Sequence, residues 1–144
     1  MNILVVNGPN LNMVGVREPE IYGERSYADL KKYLRALGKK YRVGIKIFQS
    51  NCEGKIIDAI HRAYRRRFDG IIINPGALAH YSHALRDAIA AVGIKTAEVH
   101  LTDIGAREEF RRRSVIRDAC VGFYSGLGFE GYERALKLLI GDEK

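Results

Sequence analysis

The sequence predicts an α/β fold, in which helices cover both faces of a parallel sheet. Short apolar, β-branched segments alternate with segments of helical periodicity five times along the 144 residues. No internal repeat or linker interrupts the alternation, and the length suits one domain over residues 1–144. Five strands alternating with helices favour the flavodoxin-like sheet, of order 2-1-3-4-5.

The predicted strands are apolar runs that end at turn or polar residues. They cover residues 2–7, 43–49, 69–74, 95–101 and 119–125. The first strand ends at Gly8-Pro9 and the third at Pro75-Gly76. Both pairs are typical of turns, so these ends are the best defined of the five.

The predicted helices have apolar residues at helical spacing. They cover 26–41, 53–66, 82–92 and 129–140, and residues 107–112 suit one or two further helical turns. Ser26 is the predicted N-cap of the first helix, with Asp29 three residues on. The apolar face of the second helix is predicted to carry Ile56, Ile57, Ile60, Ala63 and Tyr64.

One connection is unusually long. Residues 8–25 join the first strand to the first helix, and loops of this length in compact domains usually have a function. We interpret residues 11–25 as a mobile lid over a site. The polar and aromatic residues of the long connection are Asn10, Asn12, Arg17, Glu18, Glu20 and Tyr22.

The charge of the chain favours an anionic partner. The 24 basic and 17 acidic residues leave a net charge of +7. The two arginine runs, 65–67 and 111–113, are not interleaved with aromatic residues, which makes an anionic small molecule a better candidate than nucleic acid. The chain shows neither a membrane span nor a signal peptide, so we expect a cytoplasmic protein whose two cysteines are reduced.

The candidate site lies at the carboxyl ends of strands 1, 3 and 4. Ligands of open parallel sheets bind there, where the strand order reverses. The polar residues predicted at this edge are Asn7, Asn10, Asn74, His80, Glu98, His100 and Thr102, with Arg107 and Arg111 at the rim. This set suits proton transfer beside a polarised carbonyl group, with arginine binding a carboxylate.

Other chemistries are less well supported. No Ser or Cys stands beside a base, and no glycine-rich phosphate loop or Walker lysine is present. His80 and His83 are spaced like a metal-binding pair but lack an evident third ligand. Two alternative functions stay open, a flavodoxin-like flavin carrier and a basic nucleic-acid-binding module.

Five segments together resemble the type II 3-dehydroquinate dehydratases. They are NGPNLNMVGVREPEIYG (7–23), FQSNCEGKIID (48–58), GIIINPGALAHYSHALRDA (70–88), EVHLTDIGAREEFRRRS (98–114) and GLGFEGYERAL (126–136). The match runs in register along nearly the whole chain. The resemblance implies a flavodoxin-like enzyme without metal or cofactor, assembled as a homododecamer of trimers. It also implies conversion of 3-dehydroquinate, an anionic small molecule, to 3-dehydroshikimate in the shikimate or quinate pathway.

The resemblance assigns a role to each site residue. Tyr22 would be the base, Arg17 would keep it ionised, and Asn10 would hold a water against the enolate oxygen. His100, oriented by Glu98, would protonate the departing hydroxyl. The substrate-binding groups would be the side chains of Asn74, His80 and Arg111, the amides of Leu101 and Thr102, and Asp87 in a neighbouring subunit's site.

Elementary chemistry supports the roles of Tyr22 and Arg17. A free tyrosine has a pKa near 10, so it is a poor base at neutral pH. A nearby guanidinium favours the phenolate, and lowering the pKa by ~2–3 units corresponds to roughly 3–4 kcal/mol. Arginine suits this task better than lysine because it stays protonated. We therefore expect Arg17, five residues from Tyr22, to act on it within the lid.

Several residues depart from the usual family pattern. Cys52 stands where histidine is common, Ala79 and Tyr81 replace threonines, and Thr102, Asp103 and Gly105 replace Ser, Asn and His. The changes at 102–105 fall on the predicted carboxylate-binding loop. Since every proposed catalytic group is present, we expect activity, with any change falling on affinity.

Overall fold

The computed structural model describes residues 1–16, 20 and 25–142. Their centre is a five-stranded sheet of order β2-β1-β3-β4-β5, in which all neighbours are parallel. The strands are β1 (Asn2–Asn7), β2 (Gly44–Gln49), β3 (Gly70–Asn74), β4 (Thr96–His100) and β5 (Gly122–Ser125). The predicted flavodoxin-like class and strand order are confirmed.

Helices pack on both faces of the sheet. They are α1 (Tyr27–Tyr41), α2 (Glu53–Arg65), α3 (His83–Val92) and α4 (Glu130–Ile140). Alternate residues of β1 separate the two halves of the core, with Ile3 in the cluster beneath α1 and α4 and Leu4 in the cluster beneath α2 and α3. Each residue of β3 is buried, as expected for a central strand covered on both faces.

Two helices, α1 and α3, begin where a serine side chain caps the first turn. The Ser26 hydroxyl accepts a hydrogen bond from the Asp29 amide at 3.1 Å, and the Asp29 carboxylate accepts one from the Ser26 amide at 2.9 Å. This is the predicted capping box. Ser82 caps α3 in a similar way, accepting from the Leu85 amide at 3.0 Å, so this helix begins one residue later than predicted.

Two predictions about the elements were wrong. Residues Arg117–Ala119 form a 3-10 turn, so β5 begins at Gly122 rather than at residue 119. Tyr64 is 61% exposed because it lies at the edge of the apolar stripe in the last turn of α2, whereas Ile56 and Ile60 are fully buried. The helical turns expected over 107–112 reduce to one 3-10 turn, Glu109–Arg111.

No helix within the described ranges is long and apolar enough to span a membrane.

Candidate active site

A cavity opens at the carboxyl ends of β1, β3 and β4, where the sequence predicted a site. Its apolar wall is formed by Leu11, Met13, Val14 and Ile104. Leu101 also lines it, and its polar lining comes from Asn10, Asn74, His80, His100, Thr102, Arg107 and Arg111. The structure therefore brings together residues up to about a hundred positions apart in the chain.

Two glycines let the loops after β1 and β3 meet at the floor of the cavity. The Gly8 amide donates to the Asn74 carbonyl at 2.8 Å, and a Cβ on Gly8 would lie 2.5 Å from the Pro75 carbonyl oxygen. Gly76 has φ +58, and a Cβ there would lie 2.9 Å from the Pro9 carbonyl oxygen. Only glycine permits this close approach, so the turns that ended the strands in the sequence also shape the site.

His100 and Glu98 form a buried pair at the end of β4. Two residues apart on one strand, they lie on the same face, and the His100 Nε2 is 2.5 Å from the Glu98 Oε2. Glu98 is fully buried and His100 is 6% exposed. Because a carboxylate only accepts hydrogen bonds, Nε2 is the protonated nitrogen, and Nδ1 is left for other partners. The pair therefore fixes the tautomer and the orientation of an imidazole beside the cavity, where it can exchange a proton with a ligand.

His80 is oriented by the main chain. Its Nδ1 lies 2.7 Å from the Arg113 carbonyl oxygen, which can only accept, so Nδ1 carries a proton. Its ring also packs edge-on against Phe110, with the ring centroids 6.2 Å apart. The Nε2 atom of His80 thus remains for a ligand in the cavity.

Asn74 belongs to a buried amide and phenol network beneath the cavity. Its Nδ2 donates to the Tyr132 hydroxyl at 3.1 Å, and its Oδ1 accepts from the Gly76 amide at 3.3 Å. The Tyr132 hydroxyl in turn donates to the Asn7 Oδ1 at 2.7 Å. Two bonds hold the Asn74 amide in one orientation, the third fixes the Tyr132 hydroxyl that it contacts, and the second N–H of the Asn74 Nδ2 can donate to a ligand.

Asn10 lies on the loop after β1, with φ 71 in the left-handed region that asparagine tolerates. The backbone amide of Asn10 donates to the Asn51 Oδ1 at 2.9 Å, and the Gln49 Nε2 donates to the same oxygen at 3.1 Å. The end of β2 thereby holds the loop that carries Asn10.

The rim of the cavity is positively charged. Arg107 donates from Nη1 to the Thr102 hydroxyl at 3.4 Å, and the Arg111 Nε forms an ion pair with Glu108 at 2.7 Å. The pKa of Glu108 is lowered first by its own backbone amide and then by the charges of Arg111 and Arg107. Glu108 neutralises only part of this charge, so the cavity suits an anion.

The backbone after β4 offers two further donors. Among the described residues, the amides of Leu101 and Thr102 donate to no main-chain carbonyl. The carbonyls of His100 and Leu101 are held by the Gly126 amide at 3.3 Å and the Gly128 amide at 3.0 Å. This arrangement leaves adjacent N–H groups beside the cavity, as a carboxylate-binding loop requires.

Comparison with known proteins agrees with this geometry. Residues 1–140 match the model of the family Dehydroquinase class II. A 3-dehydroquinate dehydratase of Clostridium beijerinckii is 55% identical over 139 residues, covering 96% of this chain and 95% of that protein. The chain belongs to the class II dehydroquinase family.

Solved structures of the family have the same fold. A type II dehydroquinase from Butyrivibrio crossotus superposes with a TM-score of 0.96 at 48% identity, covering 97% of each chain. One from Propionibacterium acnes gives a TM-score of 0.93 at 40% identity, covering 98% of this chain and 97% of that one. Family membership confirms the enzyme predicted from the sequence, in preference to a flavin carrier or a nucleic-acid-binding module.

Among the described residues, two predicted site residues of this class II dehydroquinase, Glu98 and Asp87, do not line the cavity. Tyr22 and Arg17 lie outside the described residues, as do the other lid residues of 17–19 and 21–24. Asp87 is exposed on α3, and its place in a neighbouring subunit's site stays a prediction. Within the described ranges, no group of three or more side chains could hold a metal ion.

Sequence reasoning missed two residues that support the site. Ser114 donates to the Glu98 carboxylate at 2.6 Å, and the fully buried Tyr132 joins Asn7 to Asn74. Neither residue shows a periodicity or spacing that marks it. A buried tyrosine hydroxyl does need a partner, and this need was the only available signal for Tyr132.

Proposed function

We propose that the chain dehydrates 3-dehydroquinate to 3-dehydroshikimate by an anti elimination through an enolate, in the shikimate or quinate pathway. The observation that carries the proposal is the buried His100–Glu98 pair at a cavity lined by arginine and amide groups. Family membership supplies the substrate class, since the related proteins are 3-dehydroquinate dehydratases.

The first step would be removal of a proton from the carbon next to the ketone. Tyr22, as phenolate, takes this proton, and the electron pair of the C–H bond moves to the ketone oxygen as an enolate. Arg17 favours the phenolate by its charge. Asn10 holds a water against the enolate oxygen, which stabilises the charge that develops there.

The second step would be loss of the hydroxyl. The enolate electrons return to form the carbon–carbon double bond, the carbon–oxygen bond breaks, and His100 gives a proton to the departing oxygen. Glu98 keeps the imidazole oriented and protonated before this transfer. Water leaves, and the ring gains the conjugated enone of the product.

The remaining polar groups would hold the substrate in place. Its carboxylate lies at the amides of Leu101 and Thr102, while Asn74, His80 and Arg111 bind its hydroxyls and ring. Asp87 contributes to the site of a neighbouring subunit, within a homododecamer built from trimers. The positive rim favours capture of this anion.

The direct test is to mix the protein with 3-dehydroquinate and follow the enone absorbance of the product. We expect turnover by the unaltered protein and none by Tyr22→Phe, which should still bind the substrate because only the proton acceptor is lost. Arg17→Ala should likewise lower kcat. Near-normal turnover by Tyr22→Phe would refute the assignment of the base, and a raised KM alone in Arg17→Ala would limit Arg17 to binding.

A further inference from the structure

Ser114 contacts Glu98, the partner of the proposed acid His100. Its hydroxyl donates to the Glu98 Oε2 at 2.6 Å, and the His100 Nε2 lies 2.5 Å from the same oxygen. The other carboxylate oxygen, Oε1, is buried and finds no partner among the described residues. The side-chain bonds to Glu98 within the described part of the chain therefore all meet at one oxygen.

The main chain around Ser114 is held on both sides. The preceding residue, Arg113, bonds His80 through its carbonyl oxygen, and the Val115 amide donates to the Ala79 carbonyl at 2.7 Å. The hydroxyl of Ser114 is thus presented to Glu98 by a segment that also orients a second histidine of the cavity. Such support fixes the geometry of a site to fractions of an ångström.

The effect of the hydroxyl follows from the burial of Glu98. Burial disfavours the ionised carboxylate, whereas a hydrogen bond donated to it favours that form. Without the Ser114 hydroxyl, the only donor of the described residues to Glu98 is the imidazole itself. The proton between them would then move toward the carboxylate, and a neutral imidazole cannot protonate a leaving hydroxyl.

Among the described residues, no other charged or titratable side chain donates a hydrogen bond to Glu98. Arg107 and Arg111 line the cavity. Arg117 lies over the Phe123 ring, 4.1 Å from its centroid, and the same ring packs against His100 with the ring centroids 5.7 Å apart. The Cys120 thiol, although close enough to feel the Glu98 charge, donates to the Ile116 carbonyl at 3.4 Å, and Asp118 pairs with Arg86.

We propose that Ser114 is a positioning residue for the reaction, because its hydroxyl aligns the Glu98 carboxylate and keeps the proton of the pair on His100. This inference rests on the proposed function, in which His100 is the acid. Ser114 contacts no substrate in this role, so it acts on the rate of the chemical step rather than on binding.

The test compares steady-state kinetics of Ser114→Ala with those of the unaltered protein. We expect kcat to fall about tenfold to a hundredfold, as loss of a hydrogen bond to a charged group implies, with KM changed less than about twofold. Ser114→Thr keeps a hydroxyl and should recover most of the rate. In the Glu98→Gln background the same substitution should have almost no effect, because the charge it acts on is gone.

A matched control is Ser82→Ala. Ser82 is a buried serine whose hydroxyl also donates to a carboxylate, that of Glu53, away from the cavity. We expect Ser82→Ala to lower the melting temperature about as much as Ser114→Ala does, while kcat stays unchanged. In Ser114→Ala, the His100 ring-proton resonance on Nε2 should also move, and it should return in Ser114→Thr.

The outcomes separate the inference from the proposed function. If the unaltered protein does not dehydrate 3-dehydroquinate, the proposed function fails. If it does, and Ser114→Ala keeps full kcat, or loses as much rate in the Glu98→Gln background as in the unaltered one, Ser114 is only structural and the inference is overturned.

Discussion

Glu98 and Glu133 are two carboxylates that each contact a basic side chain and at least one hydroxyl, but they differ in burial. Glu98, at the end of β4, meets an imidazole and a serine hydroxyl while fully buried. Glu133, on α4, accepts hydrogen bonds from Lys40 Nζ at 2.8 Å, the Tyr41 hydroxyl at 2.6 Å and the Tyr33 hydroxyl at 3.3 Å. Its side chain is 21% exposed.

The difference lies in how completely each carboxylate is satisfied. Both oxygens of Glu133 accept hydrogen bonds, and water reaches the group. These partners together stabilise its ionised form. Among the described residues, one oxygen of the buried Glu98 has no partner, and the two short bonds to the other oxygen are what offset the cost of burying a charge there. The first arrangement joins α1 to α4, and the second fixes an imidazole beside the cavity, where the proposed mechanism needs an acid.

The largest expected effect in this comparison is on turnover by Glu98→Gln. The amide keeps the shape of the side chain but removes the charge that orients the acid of the proposed mechanism, so kcat should fall by about 10²–10⁴, as for loss of a general acid. Glu133→Gln is the matched control, with unchanged kcat. Equal kcat values for the two variants would show that the buried carboxylate has no part in the chemistry.

The next effect concerns two tyrosine hydroxyls. Tyr132→Phe removes the donor to Asn7 and leaves Asn7 and Asn74 with buried unpaired groups, which should cost about 1–3 kcal/mol and raise KM. Tyr41→Phe removes one bond from the exposed Glu133 network and should change KM little. Denaturant unfolding and substrate titration measure the two quantities, and an unchanged KM in Tyr132→Phe would separate the network from substrate binding.

Much of this architecture is predictable because its signals are local. The turns and the capping box at Ser26 arise from short patterns, and the alternation of strands and helices along the chain indicates the strand order. Strands 1, 3 and 4 then bring Asn74, Glu98 and His100 to one edge of the sheet. The hydrogen bond between Ser114 and Glu98 joins residues 16 positions apart, and that between Tyr132 and Asn7 joins residues 125 positions apart. Such contacts depend on tertiary packing, which no periodicity records.

A smaller effect is expected on stability from Glu133→Gln. The pKa of Glu133 is lowered first by its hydrogen bond from Lys40 and then by that from Tyr41. A lowered pKa in the folded state means that the contribution is present above the unfolded value, near 4.5, and is lost as the pH falls through the folded value. We expect the variant to be less stable by about 1 kcal/mol at pH 7.

Unfolding midpoints measured across pH test this expectation. The difference between Glu133→Gln and the unaltered protein should shrink steadily below about pH 4.5. Lys40→Met removes the exposed partner and should reproduce part of the loss at neutral pH. A difference that stays constant down to pH 3 would mean that the ionised form of Glu133 makes no contribution.

The smallest expected effect uses a thiol to sense the charge on Glu98. Burial, and secondarily the charges of Glu98 and Asp118, raise the pKa of the Cys120 thiol to about 12, whereas Cys52 is exposed. A thiol reagent at pH 8 should therefore label Cys52 rapidly and Cys120 slowly, because the thiolate is the reactive form. Peptide mapping by mass spectrometry distinguishes the two sites.

Removing the charge should then speed the slow site. In Glu98→Gln we expect Cys120 to react faster by less than about tenfold, since burial, the larger cause of its raised pKa, is unchanged. Cys52 serves as the reference within each sample, and Asp118→Asn tests the exposed carboxylate in the same way. Unchanged Cys120 reactivity in Glu98→Gln would mean that Glu98 holds its proton in the folded protein, and the imidazole beside it would then lack the charge that makes it an acid.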